Sequence, residues 1–511
     1  MYRNSQRKVS GVALFKMLFA ISLPVLSLVA PMTAIARPAR TITQSDPVVQ
    51  LVHIPALSAS YRDTYRPYSE SELAKTDRTE QLWRDSDYAG ATVALTKSGK
   101  VYAWGNNISG HVGNGTTCTL SSPGQYNKKP PCYYDQPQDI TKYFGGDRVV
   151  KLTGKLGTVV AFTDSGKMYY WGHEWSPELE KYIHFNRPTK LDTLSPYHVT
   201  DFSGSRDYYA PYLDNDNWYA YNSNTIFSIG SHAPFSFIDD AKHIIKPNLN
   251  GATIRQIDRV SHQHEPNKDG IYILTSKNKL LRIKPDGTIV EITNDKIKSR
   301  GGIKQIYGNY AIDHQGGLWF YGHGDDIDPI IQDMSQRSSK PLPVVREIIN
   351  NTHEYHTASI VVRSSTDNHI YSIEDWRDFS GGSPVMKIDT FDSTTLIGQQ
   401  RVRLFSGMIE PSNRGFSQEL NGYYDYSFVT EDAPDTVCTG LRGVADIAAG
   451  GGETNPPLET TQLVNGVLPT TCVKVPPVIT PAPAPTPTKP SPSAPEFTPK
   501  RNNLRAPNTA G

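Results

Sequence analysis

Ala91-Thr92-Val93-Ala94-Leu95-Thr96-Lys97-Ser98-Gly99-Lys100-Val101-Tyr102-Ala103-Trp104-Gly105 is the stretch on which the fold turns. Two runs rich in β-branched and aromatic residues flank Ser98-Gly99, where glycine can supply the positive φ of a hairpin turn. The same pattern returns at Ala161-Phe162-Thr163-Asp164-Ser165-Gly166-Lys167-Met168-Tyr169-Tyr170-Trp171-Gly172. It therefore reads as one unit of a repeat.

With the start of the second hairpin strand as a marker, Val101 and Met168 are followed by weaker copies at Trp218, Leu280, Leu318, Ile370 and Val437. The seven markers are spaced on average by about 56 residues, a period that belongs to a solenoid, propeller or array. A strand precedes several hairpins, as in Val149-Val150-Lys151-Leu152 and Ile303-Lys304-Gln305-Ile306-Tyr307. A proline followed by an apolar run stands after others: Pro188-Thr189-Lys190-Leu191, Pro341-Leu342-Pro343-Val344-Val345 and Pro384-Val385-Met386-Lys387-Ile388. Each unit thus offers about four short strands, the content of one propeller blade. One blade cannot bury both faces alone, whereas blades in a ring can, and closure protects the sheet edges. The alternative is an all-β sandwich with coincidental hairpins.

Ala94 to Asn107, followed by Gly110-His111-Val112-Gly113-Asn114-Gly115, resembles the RCC1 (regulator of chromosome condensation) repeat. Asp446-Ile447-Ala448-Ala449-Gly450 resembles another piece of that repeat, the strand before the hairpin. The resemblance covers about residues 88–475 and implies a seven-bladed β-propeller. Units three, four and six lack the Trp-Gly pair.

Residues 1–36 read as a secretory signal peptide. Arg3, Arg7, Lys8 and Lys16 form its basic end, Met17 to Ala30 its apolar run and Ala34-Ile35-Ala36 its cleavage site, so that Arg37 begins the mature chain. An uncleaved anchor is the alternative, but the run falls short of the ~20 residues of a spanning helix. Residues 37–87 form an N-terminal segment. In it, Val48 to Ile54 is expected to be a strand that completes the last blade, and Glu70 to Trp83 a short helix or loop. From Pro476 the chain becomes proline-rich, and residues 476–511 are expected to be a disordered or stiff tail, a tether to a surface or a plain soluble end.

Tyr (28) far outnumbers Trp (7), and 39 Gly and 38 Pro supply many turns, as an all-β chain requires. A net charge of +1 argues against nucleic acid as a partner. In an exported, oxidised chain the four cysteines pair as Cys118–Cys132 and Cys438–Cys472, one of three possible pairings. A metal site is the alternative, without the paired Cys-x-x-Cys spacing that zinc prefers.

His262-Gln263-His264-Glu265 and His353-Glu354-Tyr355-His356 invite a metal reading, but both fall between strands and neither has a zinc-protease order. Gly324-Asp325-Asp326-Ile327-Asp328 could offer calcium its oxygens, without completing an EF-hand loop. No nucleophile elbow or phosphate-binding loop is present, and Gly450-Gly451-Gly452 reads as a turn. The sequence therefore implies no cofactor, no metal and no catalytic residue. What remains is surface. Tyr133 and Tyr134, Trp175, and Trp376 with Arg377 set aromatics beside charges, the usual anchors of protein interfaces. The expected function is an exported RCC1-like propeller that binds another protein through loops on one face. A secreted inhibitor of an extracellular hydrolase is a sharper form of it. An enzyme acting on polysaccharide, with paired carboxylates at the propeller mouth, is the alternative.

Overall fold

The computed structural model describes residues 42–54, 90–107, 110–118, 130–155, 158–176, 181–204, 218–229, 244–260, 270–284, 287–323, 329–338, 340–354, 357–378, 385–398, 401–412, 421–440, 443–444 and 470–480. The signal peptide, Glu70–Trp83, Asp446–Gly450 and nearly all of the proline-rich tail lie outside them. Two compact units result, Gln44–Val478 and a second made of Met1–Thr43 with Ile479–Gly511. Of the second, only Ile42, Thr43, Ile479 and Thr480 belong to the described structure.

The large unit is a seven-bladed all-β propeller. Seven antiparallel sheets follow one another along the chain, each built in sequence order from an inner, a second, a third and an outer strand. The inner strands are Val48–Ile54, Val149–Lys155, Asp201–Gly204, Ile254–Val260, Ile303–Tyr307, Val345–Glu354 and Val402–Ser412, for blades 1 to 7. Each pairs along one edge only and approaches the inner strands of its neighbours, so the seven ring a central channel. The hydrophobic core is layered between blades. Trp171, Val93 and Val429 belong to one cluster spanning blades 7, 1 and 2. Trp319 and Leu274 join blades 4 and 5, and Ile360 and Ile312 join blades 5 and 6.

The hairpins that reveal the repeat recur as one local structure. Thr96, Thr163 and Thr275 each accept, through the side-chain hydroxyl, the backbone N–H four residues on, at 3.0–3.2 Å. Asp313 does the same with Gly317 N, at 2.9 Å. The positive-φ residue of the turn is Gly99, Gly166 and Gly316 in three blades and Asn278 and Asn368 in two others. Asparagine tolerates this conformation better than most residues, so the decayed copies keep the turn.

The third strands begin at the expected markers in blades 1, 2, 4, 5 and 6, and one residue early, at Thr436, in blade 7. Blade 3 differs. Trp218–Tyr221 is its second strand and Ile226–Ile229 its third, joined by a turn that Asn222 Oδ1 holds through Thr225 N at 3.0 Å. The run Pro341–Val345 is not an outer strand either. Pro329–Asp333 is the outer strand of blade 5, and Val345 opens blade 6.

Val48–Ile54 is a strand, but it does not complete the last blade. It is the inner strand of blade 1, paired with Ala91–Thr96, so the propeller begins there and not at 88. Blade 7 is made wholly from the C-terminal part of the chain, Val402–Ser412, Asn421–Thr430, Thr436–Gly440 and Thr470–Lys474. The ring therefore closes without a shared blade. Val48 N donates to Pro434 O (2.9 Å), His53 N donates to Ser406 Oγ (2.8 Å), and Arg403 reaches the Val48 carbonyl.

The same device joins the other blades. In six inner strands the register slips after the first residue, which leaves the second bulged and exposed or half-buried. In blades 1, 2, 4 and 5 the side chain that follows the bulge turns to the next blade. Gln305 Nε2 donates to Ile348 O and its Oε1 accepts from Ile348 N, both at 2.9 Å. Gln50 makes the same two bonds with Leu152. Lys151 instead forms an ion pair with Asp201 (2.5 Å). An amide that answers both backbone groups of its neighbour removes two otherwise orphaned polar atoms from the blade joint.

Both cysteine pairs are bonded as expected. Cys438 and Cys472 stand opposite one another on the third and outer strands of blade 7, and Cys118–Cys132 closes a loop after the third strand of blade 1.

Candidate functional site

Antiparallel blades give the propeller two unlike ends. The turn end carries the short second-to-third hairpins and the connections between blades. The loop end carries the connections from inner to second strand and from third to outer strand. Measured from the turns, the third strand of blade 4 is 4 residues long and turns back with Lys284 N donating to Thr288 O, and the inner and second strands of blade 5 are 5 and 4 residues long. Blades 2 and 6 have third strands of 9 residues, and blade 7 has an inner strand of 11 and a second strand of 10. Among the described residues the added length stands at the loop end, on blades 6, 7 and 2 that flank blade 1.

The expected binding residues fall on this end. Trp175 is opposite Tyr182 in the extended part of blade 2. Trp376 and Arg377 are in the extended part of blade 6, Trp376 opposite Thr357 and Lys387. Tyr133 and Tyr134 open the outer strand of blade 1, opposite Asn106 and Gly105. Tyr134 is a correction. It is buried in the core shared by blades 7, 1 and 2, and its hydroxyl lies 2.9 Å from Thr116 Oγ1, so it supports the loop instead of offering a contact.

The glycine-rich motif after Trp104 builds the floor of this end. Asn107 is fully buried and saturates its amide: Nδ2 donates to Thr116 O, Thr116 Oγ1 and Pro131 O, and Oδ1 accepts from Val112 N. Trp171 Nε1 donates to His111 O at 3.0 Å. A Cβ on Gly113 would stand 2.8 Å from the Trp171 ring, at a φ of +68° that L side chains avoid. Gly115 N donates to Asn186 O, and Asn186 Nδ2 answers to Gly115 O. The motif is thus a clasp from blade 1 onto blade 2.

At the turn end, the bulged second residues of the inner strands stand around the channel mouth. They are Val49, Val150, Arg255, Lys304, Arg346 and Arg403, with Thr200 at the matching place in blade 3. The sequence reading missed them. Their signal is an apolar pair three apart at the head of every inner strand: Val48/Leu51, Val149/Leu152, Val199/Phe202, Ile254/Ile257, Ile303/Ile306, Val345/Ile348 and Val402/Phe405, all buried. The bulge puts residues i and i+3 on one side, so a search at period two does not see it.

Paired catalytic carboxylates are not what the described mouth offers. Asp201 is held by Lys151 and by the Tyr221 hydroxyl (2.8 Å), and Glu347 by Arg363 (2.7 Å). A buried row of Asp258, Tyr272 and Arg282 crosses blade 4, and Tyr321 donates to Asp258 Oδ2 at 2.9 Å. Burial first, then the Asp258 charge, drives the Tyr321 phenol far above its ordinary range. With Asp258 4% and Tyr321 0% exposed, this row is scaffold. Among the described residues no group of His, Cys, Asp or Glu is placed to hold a metal, and no helix is long and apolar enough to cross a membrane. His262–Glu265 and Gly324–Asp328 lie outside the described residues, as do Tyr355 and His356 of the second histidine motif.

Fold and site together define a β-propeller with an elaborated loop end, the class the repeat implied. No family model matches the chain. Among solved structures it is similar to Prp20p from Saccharomyces cerevisiae, described with its binding to Gsp1p and histones, at 14% identity and a TM-score of 0.39 over 71% of this chain and 90% of that one. It is similar to BBS1N in complex with ARL6DN, at 10% identity and a TM-score of 0.37 over 80% of this chain and 99% of that one. It is also similar to human WBSCR16, at 15% identity and a TM-score of 0.31, a match that spans 45% of this chain and 59% of that one.

Proposed function

We propose that this chain is an exported RCC1-like propeller that binds another protein through its loop end. The observation that carries the reading is the one-sided growth of the ladders. Among the described residues, blades 2, 6 and 7 extend past the early turns of blades 4 and 5, at the end where Trp175, Trp376 and Arg377 stand. Extra β-ladder lengthens the wall at that end, and aromatics with arginine are the residue types that anchor protein interfaces. The two disulfides suit an oxidising compartment, which supports export, and one of them closes a loop at the same end. Inhibition of an extracellular hydrolase is the narrower form of this function, and the proline-rich tail would tether the propeller to a surface.

The test is affinity capture from an extracellular and envelope extract, with the oxidised chain from Arg37 onward, a Trp376→Ala/Arg377→Ala variant and a version lacking residues 476–511. One protein retained by the wild type and the truncated version, and lost by the double variant, is the expected result. That protein is then assayed for inhibition. Retention that depends on the tail alone would move the function to the proline segment. Retention of glycan instead of protein would favour the polysaccharide reading.

A further inference from the structure

The turn-end mouth is a second surface, independent of the loop end. On four consecutive blades the bulged residue is a cation: Arg255, Lys304, Arg346 and Arg403. The first three are exposed and the fourth half-buried. None of the four is paired with a carboxylate among the described residues. Other cations of the inner-strand region do have such partners, as in Lys151–Asp201 and Arg363–Glu347.

Three of the four are held by backbone carbonyls instead. Arg255 Nη2 donates to Ile303 O (3.3 Å) and reaches Lys304 O, Lys304 Nζ donates to Arg346 O (2.6 Å), and Arg403 Nη2 donates to Pro434 O (3.2 Å). Arg346 has only a long contact to Asn368 Oδ1 (3.4 Å). A carbonyl positions a guanidinium or ammonium without neutralising it, so the arc keeps its positive field. Burial alone lowers the Arg255 and Arg403 guanidinium pKa values from their ordinary value, as groups without an anionic neighbour show.

The other side of the mouth is apolar. Blades 1 and 2 place Val49 and Val150 at the same bulge, 42% and 46% exposed. They are two of the three large hydrophobics that are exposed among the described residues. The mouth is thus cationic on four blades and aliphatic on two.

We propose that the turn-end mouth binds an acidic peptide segment of a partner protein, with carboxylates on the arc from Arg255 to Arg403 and an aliphatic side chain against Val49 and Val150. Charge complementarity selects the acidic residues, because four unneutralised cations on a chain of net charge +1 form a local field, not a general one. The valines favour a peptide over a nucleic acid, since a sugar-phosphate backbone has no aliphatic group to place on them.

The test is fluorescence anisotropy with the full oxidised chain and four labelled probes. These are a peptide rich in Asp and Glu with a central Leu, its Asn/Gln counterpart, the acidic peptide with Ser for Leu, and an oligo-dT of equal charge. The acidic Leu peptide should bind, and more weakly as salt rises. Arg346→Gln, which removes a side chain that makes no blade-to-blade bond, should weaken it about three- to fivefold, as loss of one exposed charge contact does. Val150→Asp should weaken it more, and Trp376→Ala should leave it unchanged. Thermal melts of each variant separate lost binding from lost folding. No binding of the acidic peptide overturns the proposal, as does equal binding of the Asn/Gln peptide or tighter binding of the oligonucleotide. Indifference to both Arg346→Gln and Val150→Asp overturns it as well.

Discussion

His53 Nδ1 lies 3.0 Å from Ser427 Oγ, across 374 positions of sequence and across the joint at which the ring closes. Thr92 Oγ1 completes the cluster, 3.0 Å from the same nitrogen and 2.7 Å from Ser427 Oγ. All three side chains are buried, His53 at 6% and Ser427 at 0% exposure. A buried polar cluster holds two elements together only while every member is answered. His53→Ala and Ser427→Ala should each cost about 1–3 kcal/mol. The double variant should cost clearly less than the sum, because each single change already removes the contact between the two. Urea melts of the four proteins measure this, and additive losses would mean that the pair does not act across the joint.

The amide stitches make a separable contribution. Gln305→Leu fills nearly the same space and leaves Ile348 N and O without their partner, a loss of about 1–3 kcal/mol. Gln50→Leu should do the same at the joint of blades 1 and 2, where Leu152 N loses its acceptor at 2.8 Å. The two joints share no residue, so here the losses should add within about 0.5 kcal/mol. Chemical denaturation of both single variants and the double variant checks it.

The two disulfides should differ in worth. They span sequence separations of 14 and 34. Loop entropy then assigns about 3 kcal/mol to Cys118–Cys132 and about 4 kcal/mol to Cys438–Cys472. The Cys438→Ser/Cys472→Ser protein should therefore melt lower than the Cys118→Ser/Cys132→Ser protein. Limited proteolysis should cut the latter first within the loop between 118 and 132.

Asp313 ties stability to pH. Burial opposes its charge, but the Arg300 guanidinium, Trp319 Nε1 (2.8 Å) and the N–H groups of Gly317 and Gln315 outweigh it and hold the carboxyl below its ordinary value. A lowered folded pKa gives stability that is present above the unfolded carboxylate pKa, about 3.9, and lost as pH falls through the folded one. Asp313→Asn should be less stable than wild type at neutral pH, with the gap narrowing as pH drops below about 4. Thermal melts from pH 7 to pH 3 read that gap directly.

The sequence carried the hairpins because their chemistry is local. A hydroxyl or carboxyl at the first turn position and Gly or Asn at positive φ leave a signature even where the strands have drifted, as at Asn278 and Asn368. Blade 3 misled because Asn222 closes a tighter turn, and Trp218 at the head of its second strand looks like a third-strand marker. The inner strands were hidden by their bulge, which spaces Ile303 and Ile306 by three instead of two. Val48–Ile54 was legible as a strand but not in its place. Its partner is Ala91–Thr96, a pairing between residues far apart in sequence that no local pattern records. Of the expected site, Trp175 and Trp376 share the loop end because blade topology puts the end of every third strand there. Tyr134 turned inward because Thr116, held in the glycine clasp, meets its hydroxyl.

Capture with end-specific variants addresses the central claim, that the loop end is the protein-recognition surface. The oxidised wild type, Trp376→Ala/Arg377→Ala at the loop end and Arg346→Gln at the turn end would be compared by quantitative mass spectrometry against one extract. The account predicts at least one protein that the wild type and the turn-end variant enrich equally and the loop-end variant loses. A wild type that enriches no protein, or partners that survive the loop-end change intact, would contradict it.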